Sequence, residues 1–275
     1  MAYDTLGKGP LNYQLCRYGT SKILFRGPKK KLATPYIAVL GGTETFGKYL
    51  PHPYPDLLQL ELGLQVANFG CQNAGVDAFL HDHGLLTLCN RAKVTVLQVP
   101  GAHNMSNRFY SVHPRRNDRF LRGSNLLKEL YGEIDLTEFN FTRHLLTALH
   151  DTSAERFAKI VQELRTAWVA RMKLLIAKLD CEVVLLWLAD HRISEGAQNG
   201  INGSDPLFVD RDMVRAIAPF VADVVEVAVS RQQKEDGHRG LVYADMDEPA
   251  TRDMLGNIAH QNASRAVHDA IDRLR

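Results

Sequence analysis

The stretch Tyr36-Ile-Ala-Val-Leu-Gly-Gly-Thr-Glu-Thr-Phe-Gly47 decides the fold. Its apolar run, Tyr36 to Leu40, follows Pro35 and stops at Gly41-Gly42. A short apolar run bounded by turn residues predicts a buried strand ending in a tight turn. A helical stretch begins near Thr45. In α/β proteins this succession builds sites, because backbone N–H groups at the helix start point at whatever lies beyond the strand end. Thr43 places a hydroxyl at that point. An ordinary strand-to-helix turn uses similar residues, but paired glycines followed by a hydroxyl are a narrower requirement.

The same pattern recurs downstream. Runs from Leu64 to Phe69, Lys93 to Val99, Glu182 to Leu188 and Asp223 to Val229 read as further strands. The run from Lys93 is almost wholly apolar, which suits a strand covered on both faces. Helices are predicted from Asp56 to Leu62, from Asp77 (as N-cap) to Leu88, from Asp135 to His150 and from Asp210 to Phe220. A last helix starts near Ala250 or Gly256 and ends at Leu274. Thr152-Ser-Ala-Glu155 reads as a capping box opening a long amphipathic helix. Along that helix Phe157, Val161, Leu164, Trp168, Met172 and Leu175 recur at helical spacing, a stripe that belongs to a core. Residues 102–150 are the least regular part, and 196–206 and 231–248 read as polar loops. Strands alternating with helices predict an α/β fold: three layers, α/β/α, around a five-stranded, mainly parallel sheet with right-handed crossovers. Residues 35–275 form the single domain. Residues 1–34 form a basic arm with one short strand from Lys22 to Phe25.

Composition narrows the function. The 275 residues are 45% hydrophobic and 23% charged with a net charge of +2, which points to a globular protein and away from nucleic acid. Cys16, Cys71, Cys89 and Cys181 are widely spaced, so reduced thiols in a cytoplasm are expected rather than a zinc knuckle or disulfide framework. No His, Asp or Cys set has ligand spacing, so neither metal nor cofactor is expected. No signal peptide and no membrane span of ~20 apolar residues is expected.

The residues just after the strands carry the candidate chemistry. Thr43 offers a hydroxyl, Gly70 a backbone N–H, Asn104 or Asn107 an amide, and His260 an imidazole near the C-terminus. A hydroxyl nucleophile needs a base within reach, and a developing oxyanion needs such donors. In these blocks the chain resembles the SGNH (GDSL-like) hydrolase superfamily, and more narrowly an uncharacterised bacterial family of SGNH-like proteins. The blocks are Gly41-Gly42-Thr43, Asn68-Phe69-Gly70, Gly101-Ala102-His103-Asn104 and Asn257-Ile258-Ala259-His260.

The resemblance implies an SGNH/flavodoxin-like sheet and a hydrolase or acyltransferase. Its substrate would be an ester or acyl group of a small or carbohydrate-linked molecule. Thr43 would be the nucleophile, His260 the base, Asn257 its neighbour in the triad, and Gly70 with Asn104 the oxyanion donors. Departures are visible. Gly42 stands for the family's Asp, Thr43 for its Ser and Asn257 for its triad Asp, while Asn104 is one residue late and His103 holds its spacing. Asp245, Asp247 or Asp253 could supply the missing carboxylate.

Two other readings use the same residues. Gly42-Thr-Glu-Thr-Phe-Gly-Lys48 fits a P-loop except that Tyr49 replaces its Ser or Thr, which would suit a nucleotide- or sulfonucleotide-dependent transferase. A non-catalytic binding protein on the same fold would explain Gly42, Thr43 and Asn257 together. Finally, Arg115, Arg116 and Arg119, with His103 and Asn107, are candidate contacts for an anionic part of the substrate. A solvated turn, or arginines paired with Asp118 and Glu138, is the plainer alternative.

Overall fold

Alternation along the first strand, β1 (Tyr36–Gly41), sends Ile37 and Val39 to one face and Ala38 and Leu40 to the other. All four are buried, so the strand is covered on both sides and the fold has three layers. The computed structural model describes residues 11–32, 35–194, 201 and 203–274. The other strands are β2 (Gln65–Gly70), β3 (Val94–Gln98), β4 (Tyr110–His113), β5 (Arg116–Gly123), β6 (Glu182–Ala189) and β7 (Asp223–Ala228). Five of them form one sheet in the order β2-β1-β3-β6-β7, and every pairing in it is parallel. The order in which strands are added reverses between β1 and β3, the topological switch point at which open α/β sheets place their sites. The expected three-layer α/β/α architecture with five parallel strands is present.

The helices are α1 (Thr43–Phe46), α2 (Tyr54–Leu62), α3 (Val76–Leu80), α4 (His83–Asn90), α5 (Asn125–Leu130) and α6 (Thr142–Thr152). They continue with α7 (Ala154–Ile176), α8 (Arg211–Ile217), α9 (Arg231–His238), α10 (Glu248–Thr251) and α11 (Asn257–Arg273). One face of the sheet meets α2 and α11, where Leu58, Ala263 and Val267 pack on Ile37, Val96 and Val184. The other meets α7, whose stripe from Phe157 through Trp168 to Leu175 is buried as its spacing implies. Each such side chain contributes roughly 2 kcal/mol by leaving water.

Several boundaries differ from the sequence reading. The helix expected from Asp77 to Leu88 is two helices: Asp77 lies inside α3, and Asp82 caps α4 by accepting from Leu85 N–H. Ser153, not Thr152, caps α7, because α6 runs through Thr152 and ends there. The segment 231–248 holds α9 and a 3-10 turn at Asp245–Asp247, the former started by a Ser230–Gln233 capping box. The short strand in the arm is a single antiparallel bridge, Cys16 to Phe25. Much of the polar loop at 196–206 lies outside the described residues.

The irregular stretch after β3 holds a separate antiparallel hairpin, β4–β5. Asn117 fastens it to the domain. Its Oδ1 accepts from Gly75 and Ala78 N–H at 3.0 Å each, and its Nδ2 donates to His113 O and Pro114 O. The residue is fully buried, so removing the amide strands four backbone groups. Asn117→Ala is expected to lower unfolding free energy by about 3 kcal/mol in denaturant titration, with the hairpin loosening first.

Candidate active site

The turn after β1 is shaped by Gln98 at the end of β3. Gln98 Oε1 accepts from Gly42 N–H (3.1 Å), Thr45 N–H (3.2 Å) and Thr45 Oγ1–H (2.6 Å). A Cβ at Gly41 would stand 2.0 Å from Thr45 Oγ1, so only glycine fits there. Two of the backbone donors that a P-loop would aim at phosphate are thereby used by a neutral side-chain carbonyl. The helix behind them has four residues, and Lys48 lies over the ring of Tyr49. The phosphate-cradle reading is not supported by this geometry.

Beyond the carboxyl ends of β1, β3 and β6 lies a cleft of 510 Å³. Thr43 and Glu44 enter it from the turn, His103 and Asn104 from the loop after β3, and Asp190 from the end of β6. Thr43 Oγ1 donates to Asn73 Oδ1 (3.1 Å) and accepts from Asn73 N–H (3.0 Å). Asn73 Nδ2 in turn reaches Asp118 Oδ2 at 3.2 Å.

His260 is not beside that hydroxyl. It is fully buried, and both ring nitrogens are engaged elsewhere. Nδ1 accepts from Tyr54 N–H at 3.0 Å, which leaves the proton on Nε2, and Nε2 lies 3.2 Å from Glu44 Oε2. Glu44 Oε1 also accepts from Leu255 N–H at 3.3 Å. The carboxylate that meets His260 is therefore Glu44, not Asn257, Asp245, Asp247 or Asp253. Asn257 opens α11 with its amide packed on Gly240, whose Cβ would fall 1.7 Å from Asn257 Nδ2.

The expected oxyanion donors are occupied. Gly70 N–H donates to Asn68 Oδ1 at 2.8 Å, and a Cβ there would lie 2.2 Å from Phe46 N, so this glycine serves packing of α1. Asn104 lines the cleft, but its Nδ2 donates to Asn73 O and its Oδ1 accepts from Thr142 Oγ1 at 2.6 Å. Asn107 organises the turn into β4, accepting from Phe109 and Tyr110 N–H. Arg115, Arg116 and Arg119 sit on the exposed hairpin beside the cleft rather than among its lining residues.

His103 does line the cleft. It is buried, and its Nδ1 has no hydrogen-bond partner, the nearest carboxylate oxygen being Asp205 Oδ1 at 3.7 Å. Burial pushes its pKa down, partly offset by Asp205, so the ring is neutral near pH 7. Asp190 is held well below the usual carboxylate range, first by His191 and then by Lys234 and Ser204.

Sequence reasoning missed Asp205 and Arg143. Glu44 and Asp190 stand just after strand ends, positions that the sequence marks, but were given no role in the chemistry. Glu44, Asp118, Asp190, Asp205 and Asp253 give the cleft an acidic interior, with Arg143 as its guanidinium.

The model of a domain of unknown function (DUF6473) matches residues 1–275. The chain belongs to this family. No curated protein matches its sequence. Among solved structures it is similar to the lipase Lip_vut3 from a goat rumen metagenome, at 11% identity, covering 86% of this chain and 97% of that one, TM-score 0.44. A lipase/acylhydrolase from Enterococcus faecalis shares 11% identity over 88% and 97%, TM-score 0.41. A catalytic mutant of Axe2, an acetylxylan esterase from Geobacillus stearothermophilus, shares 13% over 86% and 94%, TM-score 0.41. Within this DUF6473 chain, no described helix is long and apolar enough to cross a membrane.

The depressed His103 pKa sets a sign for pH dependence. The unfolded chain binds that proton near pH 6.5 and the folded chain only at lower pH, so the contribution is complete above about pH 6.5 and is lost as pH falls below it. His103→Gln is expected to flatten the stability-versus-pH curve in that window, read from denaturant midpoints. An unchanged slope would show that His103 protonates freely in the folded state.

Proposed function

We propose that the protein hydrolyses, or transfers the acyl group of, an ester of a small or carbohydrate-linked substrate in the cleft beyond β1, β3 and β6. Glu44 is the general base and His260 is its positioning residue. Thr43, or a water beside it, supplies the nucleophilic oxygen. The observation that carries this reading is the orientation of Glu44. Its two oxygens are held by His260 Nε2–H and Leu255 N–H, yet the residue lines the same cleft as Thr43. A carboxylate fixed by two donors keeps its remaining lone pairs aimed and needs little reorganisation to accept a proton. The acidic interior favours a neutral, hydroxyl-rich or cationic ligand over an anionic one, because carboxylates accept from hydroxyls and repel anions. No metal or cofactor enters this scheme.

One observation favours a second reading, a binding protein without turnover. The Thr43 proton is directed to the amide oxygen of Asn73, which is no base. Under that reading the cleft retains a ligand and nothing in it is activated.

The experiment is a hydrolysis screen with aryl acetates and acetylated sugars, followed by variants. Glu44→Gln is expected to lower kcat at least ~100-fold, the scale of general-base catalysis, with little change in KM. Thr43→Ala distinguishes a covalent route, which it abolishes, from direct attack by water, which it spares. His260→Gln lowers kcat less than Glu44→Gln does. Equal rates in wild type and Glu44→Gln would end the catalytic proposal. Absent turnover with ligand-induced rise in Tm would leave the binding reading.

A further inference from the structure

The β4–β5 hairpin carries Arg115, Arg116, Arg119 and Arg122, all exposed. None of them pairs with a carboxylate among the described residues. The carboxylate beside them, Asp118, instead accepts from Asn73 Nδ2. Arg119 lies over the Phe141 ring, 4.4 Å from its centroid. Large apolar side chains stand open to water on this hairpin and in the segments after it: Leu121, between Arg119 and Arg122, at 55% exposure, Leu126 at 45%, and Phe141, under Arg119, at 42%. The chain as a whole has a net charge of only +2, so this is a local concentration of positive charge.

We propose that this face docks on an anionic lipid bilayer. Guanidinium forks match phosphate oxygens in pairs, and arginine is weakly hydrated enough to settle at an interface. The leucines select the occupant. A soluble polyanion would satisfy the arginines and leave Leu121 and Leu126 in water. A bilayer offers phosphates and, a few ångströms deeper, an acyl boundary that takes exposed apolar side chains out of water. The hairpin can bear this load because its inner side is fixed, by buried Asn117 and by Phe120 in the core. It also borders the cleft, since Asp118 and Phe141 belong to the cleft lining. Docking therefore brings this rim of the cleft close to the membrane surface. Binding of this kind is peripheral and independent of the chemistry proposed for the cleft.

The test is co-sedimentation of the full chain with phosphatidylglycerol-containing vesicles and with pure phosphatidylcholine vesicles, at low and raised salt. Association with the anionic vesicles alone is expected. Arg116→Ser and Arg122→Ser are each expected to weaken it about fivefold at low salt. Leu121→Ser weakens it most visibly at raised salt, where the charge attraction is screened. Arg215→Ser on α8, far along the chain and paired with Asp212, leaves it unchanged. All four substitutions are at exposed positions, and thermal melts verify that each variant is folded. No association with anionic vesicles at low salt overturns the proposal, as does equal binding by the arginine variants. Leu121→Ser binding unchanged while polyglutamate strips the protein from vesicles overturns it in favour of a soluble polyanion.

Discussion

The side-chain carbonyl of Gln98 holds three hydrogen atoms of the turn after β1, and the site depends on that junction. The contact joins the two central strands at their carboxyl ends, where the sheet order reverses. Each hydrogen bond is worth only about 1 kcal/mol net, but leaving the buried partners unmatched would cost more. Its geometric effect is larger than its energy. With Gly42 N–H and Thr45 tied to Gln98, the turn presents Thr43 to the cleft and Glu44 to both the cleft and His260 of α11. Thr45 Oγ1 also meets Tyr54 Oη at 2.8 Å, which fixes the start of α2 and hence the N–H that Tyr54 presents to His260.

A second clamp acts from the N-terminal arm. The Arg26 guanidinium donates to the carbonyls of Gly47 (2.6 Å), Leu50 (2.7 Å) and Pro51 (2.8 Å). Those carbonyls follow the left-handed residue Gly47, whose Cβ would collide with Pro53 at 2.3 Å. A chain that leaves a four-residue helix through such a turn has few backbone partners of its own, so one five-donor side chain supplies them. The arm is in this sense part of the site's foundation. The composition of the first 34 residues does not disclose that, because two arginines among five lysines look like solvated charge.

The sheet was readable in the sequence because its signals are local. Apolar runs of five to eight residues ending at glycine, proline, aspartate or serine locate β1, β2, β3, β6 and β7 within a residue or two. The candidate site was readable only as positions along the chain. Thr43, His103 and Asn104 do reach the cleft, since each follows a strand end. Polar groups of Gly70, Asn104 and Asn107 make hydrogen bonds within the fold. Asn and Gly serve turns and packing as readily as they serve oxyanions, and sequence order does not separate those uses. Asp190, Arg143 and Asp205 come together from α6, β6 and the loop beyond it, a convergence that only tertiary structure sets.

The tautomer of His260 ties the departures from the SGNH pattern into one arrangement. In a hydrolase triad the acid accepts a proton from Nδ1, so that Nε2 is free to act as base. Here Nδ1 itself accepts the Tyr54 N–H, so there is no proton on it for an acid at position 257 to receive. An Asp there would be a carboxylate without that partner, and Asn257 is consistent with its absence. The proton instead sits on Nε2, and the acceptor placed against it is Glu44. A carboxylate at position 44 and an amide at position 257 are both consistent with that single choice of ring nitrogen. That choice is made by a backbone amide at the first turn of α2. It leaves the imidazole holding Glu44, a residue of the cleft lining.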